Sequence, residues 1–202
     1  MSQTIDYYHF LISPWSYLAI KQFNAVKAQH DVVVNYKPID VMQTFDNMGG
    51  LPPAKRHPSR QRFRMDELKR WSKRLNVPMN LEPAFFPANQ ALAAQMVLAA
   101  GGSTGNTAAA ALSDAVLTAC WAEEKNIADE ATLISLADAC GIDGQELVSK
   151  AKTPELERLL QDTTEEAHSN DVFGSPTYIV DGQLFWGQDR IDFLAEALSG
   201  SE

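Results

Sequence analysis

The spacing of hydrophobic and polar residues changes along the chain from strand-like to helix-like and back again. Residues 4–11 are rich in β-branched and aromatic side chains, which predicts a buried strand. Ser13 and Pro14 are typical of a helix start, and apolar residues follow at roughly helical spacing to Ala28. Residues 32–38 predict a second strand. A short helical connection between two strands favours a parallel pair joined by a right-handed crossover.

The middle of the chain predicts helices separated by segments rich in glycine and proline. Residues 40–58 predict a long loop, which is usually functional or mobile, and a basic helix follows over about 59–76. A proline-rich connection is expected over 77–88. Glycines between 101 and 105 are expected to end the first of five further helices. These five are expected at 91–100, 107–124, 130–139, 143–151 and 154–169.

The last part of the chain returns to a strand pattern. Residues 177–180 and 184–186 predict two strands, and Asp181-Gly182 between them is a hairpin signal. A final helix is expected over 188–198. This element order predicts an α/β protein with a thioredoxin-like fold that carries an inserted all-helical domain. The expected division is 1–40 with 170–202 as the thioredoxin-like domain, and 41–169 as the helical insertion.

The composition is that of an ordinary soluble globular protein. Of 202 residues, 45% are apolar and 21% are charged. No apolar run approaches the roughly 18–20 residues that a membrane span requires, and the N-terminal residues lack the pattern of a secretory signal. Cys120 and Cys140 are too few for a disulfide framework. These features predict a reducing, cytoplasmic setting and no membrane partner.

The charge is strongly negative overall but uneven. A net charge of −9 argues against general nucleic-acid binding. Residues 55–74 nevertheless carry nine basic and two acidic side chains, so this segment is +7 while the rest of the chain is −16. The segment is either the solvated face of an amphipathic helix or a local site for a small anionic molecule.

The first helix start is the strongest candidate for chemistry. In a thioredoxin-like fold this position follows the first strand, and the helix N-terminus there favours a thiolate. Redox members carry Cys-x-x-Cys at this point, whereas this chain has serine at both positions, Ser13 and Ser16. Cys120 and Cys140 lie in the predicted helical block, where free cysteine packs as a small apolar residue. A dithiol cycle is therefore excluded at this site.

Two interpretations of Ser13 remain. Its hydroxyl either caps the helix, or it donates a hydrogen bond to the thiolate of a bound cofactor. Such a bond, together with the helix dipole, would lower the thiol pKa below its free value of roughly 8.5. Glutathione is the obvious thiol cofactor.

Motifs at both ends of the chain resemble those of one enzyme family. The run from Ser13 to Ala19, Ser-Pro-Trp-Ser-Tyr-Leu-Ala, is similar to the N-terminal motif of 2-hydroxychromene-2-carboxylate isomerases and the related kappa-class glutathione transferases. Residues 173–177, Phe-Gly-Ser-Pro-Thr, and 185–190, Phe-Trp-Gly-Gln-Asp-Arg, resemble that family's C-terminal signature. The helical insertion between these motifs also agrees, so the resemblance covers essentially the whole chain.

The resemblance implies a glutathione site. Ser13 matches the position that contacts the sulfur, and Ser175-Pro176 matches a cis-proline step whose backbone meets the cysteinyl main chain. The start of the last helix would hold the γ-glutamyl group, with Asp189 either pairing with its ammonium or acting as a helix cap. The implied cofactor-binding residues are Ser13, Ser175, Pro176, Trp186, Gln188, Asp189 and Arg190.

The resemblance also implies a small aromatic carboxylate as substrate. Cations and aromatic rings are needed to bind it, although each ring is also a candidate for the core. The expected substrate-binding residues are Trp15, Lys55, Arg60, Arg64 and Phe85. His57 is either a general acid or base or a solvated loop residue. The other histidines lack ligand spacing with acidic or cysteine partners, so no metal site is expected.

The chain departs from the family pattern at the substrate end. Phe10 stands where the family often has an acidic residue, and Gly50 stands where relatives use asparagine. A lysine of the family corresponds either to Lys55 or to Arg60, and arginine would change the hydrogen-bond geometry there.

The implied activity is glutathione-dependent isomerisation in aromatic catabolism, with a homodimer as the expected assembly. Thiolate addition to a conjugated carbon, bond rotation and elimination of glutathione would interconvert the two isomers without a redox change. Two alternatives stay open: a kappa-type glutathione transferase or peroxidase, and a non-catalytic thioredoxin-fold binding module. No nucleic acid is expected as a partner.

Overall fold

A computed structural model describes residues 2–104 and 106–200. Its centre is a four-stranded sheet in the order β2-β1-β3-β4. β1 pairs with β2 in parallel and with β3 in antiparallel orientation, and β3 and β4 form an antiparallel hairpin. The strands are β1 (Gln3–His9), β2 (Val32–Pro38), β3 (Thr177–Val180) and β4 (Gln183–Trp186). This arrangement confirms the predicted α/β fold and the parallel first pair.

Nine α-helices surround the sheet in the described part of the chain, most of them between β2 and β3. They are α1 (Pro14–Gln29), α2 (Val41–Asn47), α3 (Pro58–Leu75), α4 (Ala91–Thr104), α5 (Asn106–Trp121), α6 (Glu130–Ala139), α7 (Gly144–Ala151), α8 (Pro154–Ser169) and α9 (Ile191–Leu198). Short 3-10 turns cover Pro53–Lys55 and Gln188–Arg190. Within residues 2–104 and 106–200, none of the helices combines the length and apolar character needed to cross a membrane.

Three sequence predictions need correction. The expected loop over 40–58 contains α2, because the Asp40 side chain caps the helix by accepting a hydrogen bond from Gln43 N at 2.8 Å. α4 continues through Gly101 and Gly102 to Thr104 instead of ending before them, since a glycine inside a helix costs only about 1 kcal/mol. Gly105 lies outside the described residues. The expected final helix begins as a 3-10 turn over Gln188–Arg190.

The alternation of side chains along β1 separates two apolar layers. Ile5 and Tyr7 point into the main core, which continues without a break into the helices of the insertion. Tyr8 and Phe10 face the opposite side, where they pack in a smaller cluster with Ala167 of α8. The C-terminal end of β1 therefore leads directly from the core to the start of α1.

Candidate active site

Ser13 occupies the N-cap of α1, and its side chain is 6% exposed. Its Oγ accepts a hydrogen bond from Ser16 N at 3.3 Å and lies 3.5 Å from the backbone oxygen of Ser175. The second contact is long and weak. The hydroxyl hydrogen is therefore available for a stronger acceptor placed at the helix N-terminus, where the helix dipole favours an anion.

The peptide bond between Ser175 and Pro176 is cis, as the sequence motif predicts. The Ser175 Oγ accepts a hydrogen bond from Phe10 N at 2.8 Å and lies 2.6 Å from the Ser16 Oγ. The Tyr7 hydroxyl also hydrogen-bonds the Ser16 side chain. This buried chain of three hydroxyls ties β1, α1 and the loop before β3 together beneath Ser13.

A groove of about 670 Å³ runs from this point between α3 and the 3-10 turn after β4. We call it the charged groove. It is lined by Trp15, Arg56, Ser59, Arg60, Phe63, Arg64, Glu67, Trp71, Ser175, Trp186, Gly187, Gln188, Asp189 and Arg190. Predicted residues from both ends of the chain thus line one groove.

Two glycines allow side chains to fold closely over the wall of the charged groove. A Cβ at Gly174 would lie 2.5 Å from the Trp186 Nε1, so the indole rests directly on this residue. Gly187 has a φ of 111°, and a Cβ there would lie 2.5 Å from an Asp189 carboxylate oxygen. The absence of a side chain at Gly174 therefore makes room for the Trp186 indole, and its absence at Gly187 makes room for the Asp189 carboxylate.

The three residues of the 3-10 turn differ in what they offer a ligand. The Gln188 side chain is 2% exposed and is held by Gln22 of α1, whose Nε2 donates to the Gln188 Oε1 at 3.2 Å. Asp189 and Arg190 are exposed and pair with each other at 2.7 Å. The Asp189 side chain forms no cap, in contrast to the alternative left open by the sequence. The charged pair, rather than the Gln188 amide, is accessible.

A second cavity of about 570 Å³ adjoins the groove, and we call it the apolar cavity. Its walls come from α2, from residues 48–54, and from Phe10, Phe86 and Phe173. Phe10 packs edge-on against Phe45 with ring centroids 5.9 Å apart. An aromatic residue at position 10 thus supports the cavity wall.

Three arginines lie where the two spaces meet. Arg56, Arg60 and Arg64 line both the charged groove and the apolar cavity. Among the described residues, none of the three forms an ion pair with a carboxylate. Burial, and then the neighbouring Arg56, lowers the pKa of Arg64. An uncompensated positive charge this close to an apolar cavity favours an anionic ligand.

Most predicted substrate-binding residues fall at this junction, and two lie outside it. Trp15 lines both spaces, together with Arg60 and Arg64. Phe85 is 48% exposed and lines neither space, whereas its neighbour Phe86 lies in the cavity wall and packs against Trp121. Lys55 is exposed and also lines neither space. The backbone conformation at 85–87 decides whether Phe85 or Phe86 faces the cavity, and the sequence pattern does not predict that conformation.

His57 serves as the N-cap of α3, a role that the sequence did not indicate. Its Nδ1 accepts a hydrogen bond from Ser59 N at 3.3 Å and lies 2.8 Å from the Ser59 Oγ. It is exposed and lines neither the charged groove nor the apolar cavity. His57 is thus a solvent-exposed residue, as in the second of the two interpretations made from the sequence, and it also caps α3.

Two other titratable groups, His9 and Cys120, are buried and line neither space. Burial lowers the pKa of His9 to about 3, so its ring is neutral at physiological pH. The His9 ring stacks on the Tyr7 ring with their centroids 4.2 Å apart, and the His9 Nε2 lies 2.7 Å from the Ser113 Oγ.

Burial raises the pKa of Cys120 to about 12, which makes that thiol unreactive. The described residues contain no cluster of three potential metal-ligating side chains.

Several lining residues were not identified from the sequence. Met42 and Phe45 belong to the unexpected helix α2, while Glu67 and Trp71 lie on α3 opposite the C-terminal motif. The Asp40 cap was a local signal for α2. The contribution of Glu67 and Trp71 depends on how α3 packs across the groove, which no local pattern reveals.

This geometry is that of a thioredoxin-type fold, with a candidate site at the α1 start and the cis-proline loop. The profile of the DSBA-like thioredoxin domain matches residues 4–199, and the chain belongs to this family. It is 31% identical to 2-hydroxychromene-2-carboxylate isomerase of Sphingobium xenophagum over 98% of this chain and 99% of that protein. It is 25% identical to glutathione S-transferase kappa 1 of Caenorhabditis elegans over 96% of this chain and 90% of that protein.

A solved structure agrees with these sequence relatives. The structure of a 2-hydroxychromene-2-carboxylate isomerase superposes with a TM-score of 0.82 at 23% identity, covering 98% of this chain and 95% of that one. This likeness establishes the thioredoxin-like fold with a helical insertion between β2 and β3.

Proposed function

We propose that the protein is a glutathione-dependent isomerase acting on an aromatic carboxylate, similar to 2-hydroxychromene-2-carboxylate isomerase. The observation that carries this proposal is the junction between two spaces of different character. A charged groove meets an apolar cavity at Trp15, Ser175 and Trp186, next to Ser13 in the cavity wall. Three guanidinium groups that form no ion pair among the described residues line both spaces. The similarity to isomerases over nearly the full length of the chain supports the same reaction class.

The charged groove has the groups that glutathione requires. Two carboxylates and one ammonium need cationic and anionic partners, and the groove offers Arg56, Arg60 and Arg190 together with Asp189. The backbone of Ser175 lies beside Ser13, where it can pair with the cysteinyl main chain like an added strand. Gly174 leaves space for the Trp186 ring to cover this position. The residues present therefore fit the tripeptide.

Bound glutathione would supply a thiolate that adds reversibly to a conjugated carbon, permits rotation about the resulting single bond, and then leaves. The Ser13 hydroxyl would donate a hydrogen bond to the sulfur and, with the N-terminus of α1, stabilise its anionic form. Arg64 would hold the substrate carboxylate and the negative charge that develops on a nearby oxygen. The aromatic walls formed by Phe45 and Phe86 would orient the ring and exclude water.

Calorimetric titration with reduced glutathione is the first test. We expect the wild-type protein to bind, and Asp189→Ala to bind about tenfold more weakly because an ion pair with the ligand is lost. Asp192→Ala, an exposed residue of α9 outside both spaces, is the matched control and should bind as the wild type does. The absence of binding at millimolar glutathione would refute the cofactor-dependent mechanism and favour a non-catalytic module.

A substrate comparison separates the isomerase from the kappa-type transferase, the candidate favoured by the similarity to the Caenorhabditis elegans protein. With 2-hydroxychromene-2-carboxylate, we expect a change in the ultraviolet spectrum that requires glutathione but consumes none. Net consumption of glutathione with an electrophilic acceptor, and no isomerisation, would identify a transferase instead.

A further inference from the structure

The strands β1 and β2 are paired only as far as the edge of the candidate site. Their register ends at the pair His9 and Pro38, and Ile39 N donates to the His9 oxygen at 3.1 Å just beyond it. The chain then leads from β1 to Ser13 at the start of α1, and from β2 to α2 in the wall of the apolar cavity. The spacing of these two diverging segments therefore sets the distance from Ser13 to that wall.

The Gln90 side chain bridges the two segments just past the point where they part. Its Oε1 accepts a hydrogen bond from Ile12 N at 3.2 Å, and its Nε2 donates to the Ile39 backbone oxygen at 2.7 Å. Both partners are backbone groups beyond the end of the β1–β2 register. Gln90 is 5% exposed and lines neither the charged groove nor the apolar cavity. Its buried amide thus continues the pairing of the two segments after the strands have ended.

The bridge is built on a well-packed helix. Gln90 directly precedes α4, and its backbone oxygen accepts a hydrogen bond from Ala94 N at 2.9 Å. Ala93, Ala94 and Met96 of this helix are fully buried in the main core. The amide therefore projects from a fixed base, and its two directional hydrogen bonds hold the segment on either side of it.

Each of the two segments also has an anchor of its own. On the α1 side, Phe10 N donates to the Ser175 Oγ in the cis-proline loop. On the α2 side, Asp40 N donates to the Thr164 Oγ1 of α8 at 3.0 Å. The rings of Phe10 and Phe45 touch across the gap, but an apolar contact fixes their relative position less strictly than a hydrogen bond does. Loss of the Gln90 bridge should therefore leave both segments folded and allow them to shift against each other.

We propose that Gln90 is a positioning residue that sets the distance between the glutathione sulfur at Ser13 and the substrate ring in the apolar cavity. This inference rests on the proposed isomerase function and adds to it a residue outside both spaces. The sulfur lone pair forms the S–C bond while the π electrons move to the conjugated carbonyl oxygen, and elimination reverses both changes. The reacting atoms must lie about 3–3.5 Å apart, and a shift of about 1 Å can slow such a step on the order of 100-fold.

The main test is Gln90→Met, which keeps an unbranched side chain of similar length but removes both hydrogen bonds. We expect kcat for the glutathione-dependent isomerisation of 2-hydroxychromene-2-carboxylate to fall about tenfold. The dissociation constant for glutathione, measured by calorimetry, should stay within about twofold, since Gln90 does not line the charged groove. The ultraviolet absorbance of the bound thiolate should titrate with pH as in the wild type, because the Ser13 hydroxyl is unchanged.

Two further variants separate the bridge from the helix start that carries it. Gln90→Asn keeps the amide but is one methylene too short to reach both partners, so kcat should fall at least about threefold. It also supplies the measurement if Gln90→Met does not fold. Asn89→Ala is the matched control, because Asn89 is exposed and accepts a hydrogen bond from Ala91 N at 2.9 Å at the same helix start. It leaves the bridge in place, and kcat should match the wild type.

The outcomes distinguish this inference from the function on which it rests. A kcat that stays within about twofold of the wild type in Gln90→Met and Gln90→Asn would overturn the positioning role and leave the isomerase standing. A loss of glutathione affinity as large as the loss of kcat would also overturn it, since Gln90 would then support the whole fold. A wild-type protein that shows no glutathione-dependent isomerisation would refute the proposed function itself.

Discussion

The charged groove and the apolar cavity share a junction but are built in different ways. The groove is formed mainly by α3 on one side and by residues 186–190 on the other, with Trp15 of α1 and Ser175 also in its wall. The cavity is formed by α2, by residues 48–54 and by aromatic side chains from several loops. In the proposed function, the cofactor is therefore recognised jointly by α3 and the C-terminal motif, and the substrate by α2, residues 48–54 and the loops around them.

The largest expected effect comes from the junction itself. Ser13→Ala removes the hydroxyl proposed to donate to the thiolate, and kcat/KM at saturating glutathione should fall about 100-fold. Glutathione affinity should change little, because the tripeptide's charged groups contact other residues. Steady-state kinetics and calorimetry measure the two quantities separately. Loss of the helix cap also costs about 1 kcal/mol of stability, which thermal unfolding would detect.

An equal loss of affinity and turnover in Ser13→Ala would contradict this assignment. It would show that the hydroxyl holds glutathione in its ground state instead of stabilising the anion needed for the reaction.

The next effect should fall on the substrate side of the junction. Arg64→Met removes a half-buried guanidinium, and we expect kcat/KM for an anionic aromatic substrate to fall about 30-fold, equivalent to about 2 kcal/mol. Arg64→Lys should recover only part of the activity, since lysine lacks the planar fork. Arg62→Met, an exposed residue of the same helix, is the control. An Arg64→Met variant with full activity would remove this arginine from the site.

Acid should destabilise the whole fold and therefore both spaces, because His9 is fully buried at the end of β1. The pKa of His9 is about 3 in the folded protein, below its ordinary value of about 6.5. Between these values the unfolded chain binds the proton and the folded protein does not, so His9 lowers stability as pH falls below about 6.5. The maximum slope is about 1.4 kcal/mol per pH unit, or tenfold in the unfolding constant.

Urea unfolding between about pH 4.5 and 6.5 measures this slope. The His9→Gln variant should show a shallower dependence than the wild type over the same range. Parallel slopes in the two proteins would mean that His9 titrates similarly in the folded and unfolded states.

The smallest expected effect is that of removing one aromatic ring from the wall of either space, and it tests directly whether the two spaces bind different ligands. Phe45→Ala opens the wall of the apolar cavity, and KM for the aromatic substrate should rise about fivefold because apolar contact is lost. Glutathione affinity should be unchanged. Phe63→Ala should instead weaken glutathione binding and leave KM for the aromatic substrate unchanged, since Phe63 lines the charged groove but not the apolar cavity. Equal changes in both affinities for either variant would indicate that the two spaces are energetically one site.

The sequence predicted some residues of the two spaces and missed others. The Ser13 N-cap was predictable because a helix start has a local signature, whereas Ser175 and Trp186 were named only because the C-terminal motif resembles that of one enzyme family. Phe45 was missed because the glycines and prolines of residues 40–58 obscured α2. The choice between Phe85 and Phe86, and the approach of Glu67 to the groove, depend on tertiary packing that adjacent residues do not specify.

The pairing of β1 with β3 has a consequence for how the protein is made. Ser13 and Ser175 are 162 residues apart in the sequence, yet Ser16 hydrogen-bonds both of their side chains. On a ribosome β1 emerges before β3 and can pair with it only after the helices between β2 and β3 have been synthesised. The groove therefore forms as a late event in biosynthesis. A chain that ends before β3 would carry the N-terminal motif intact but lack the wall that faces it.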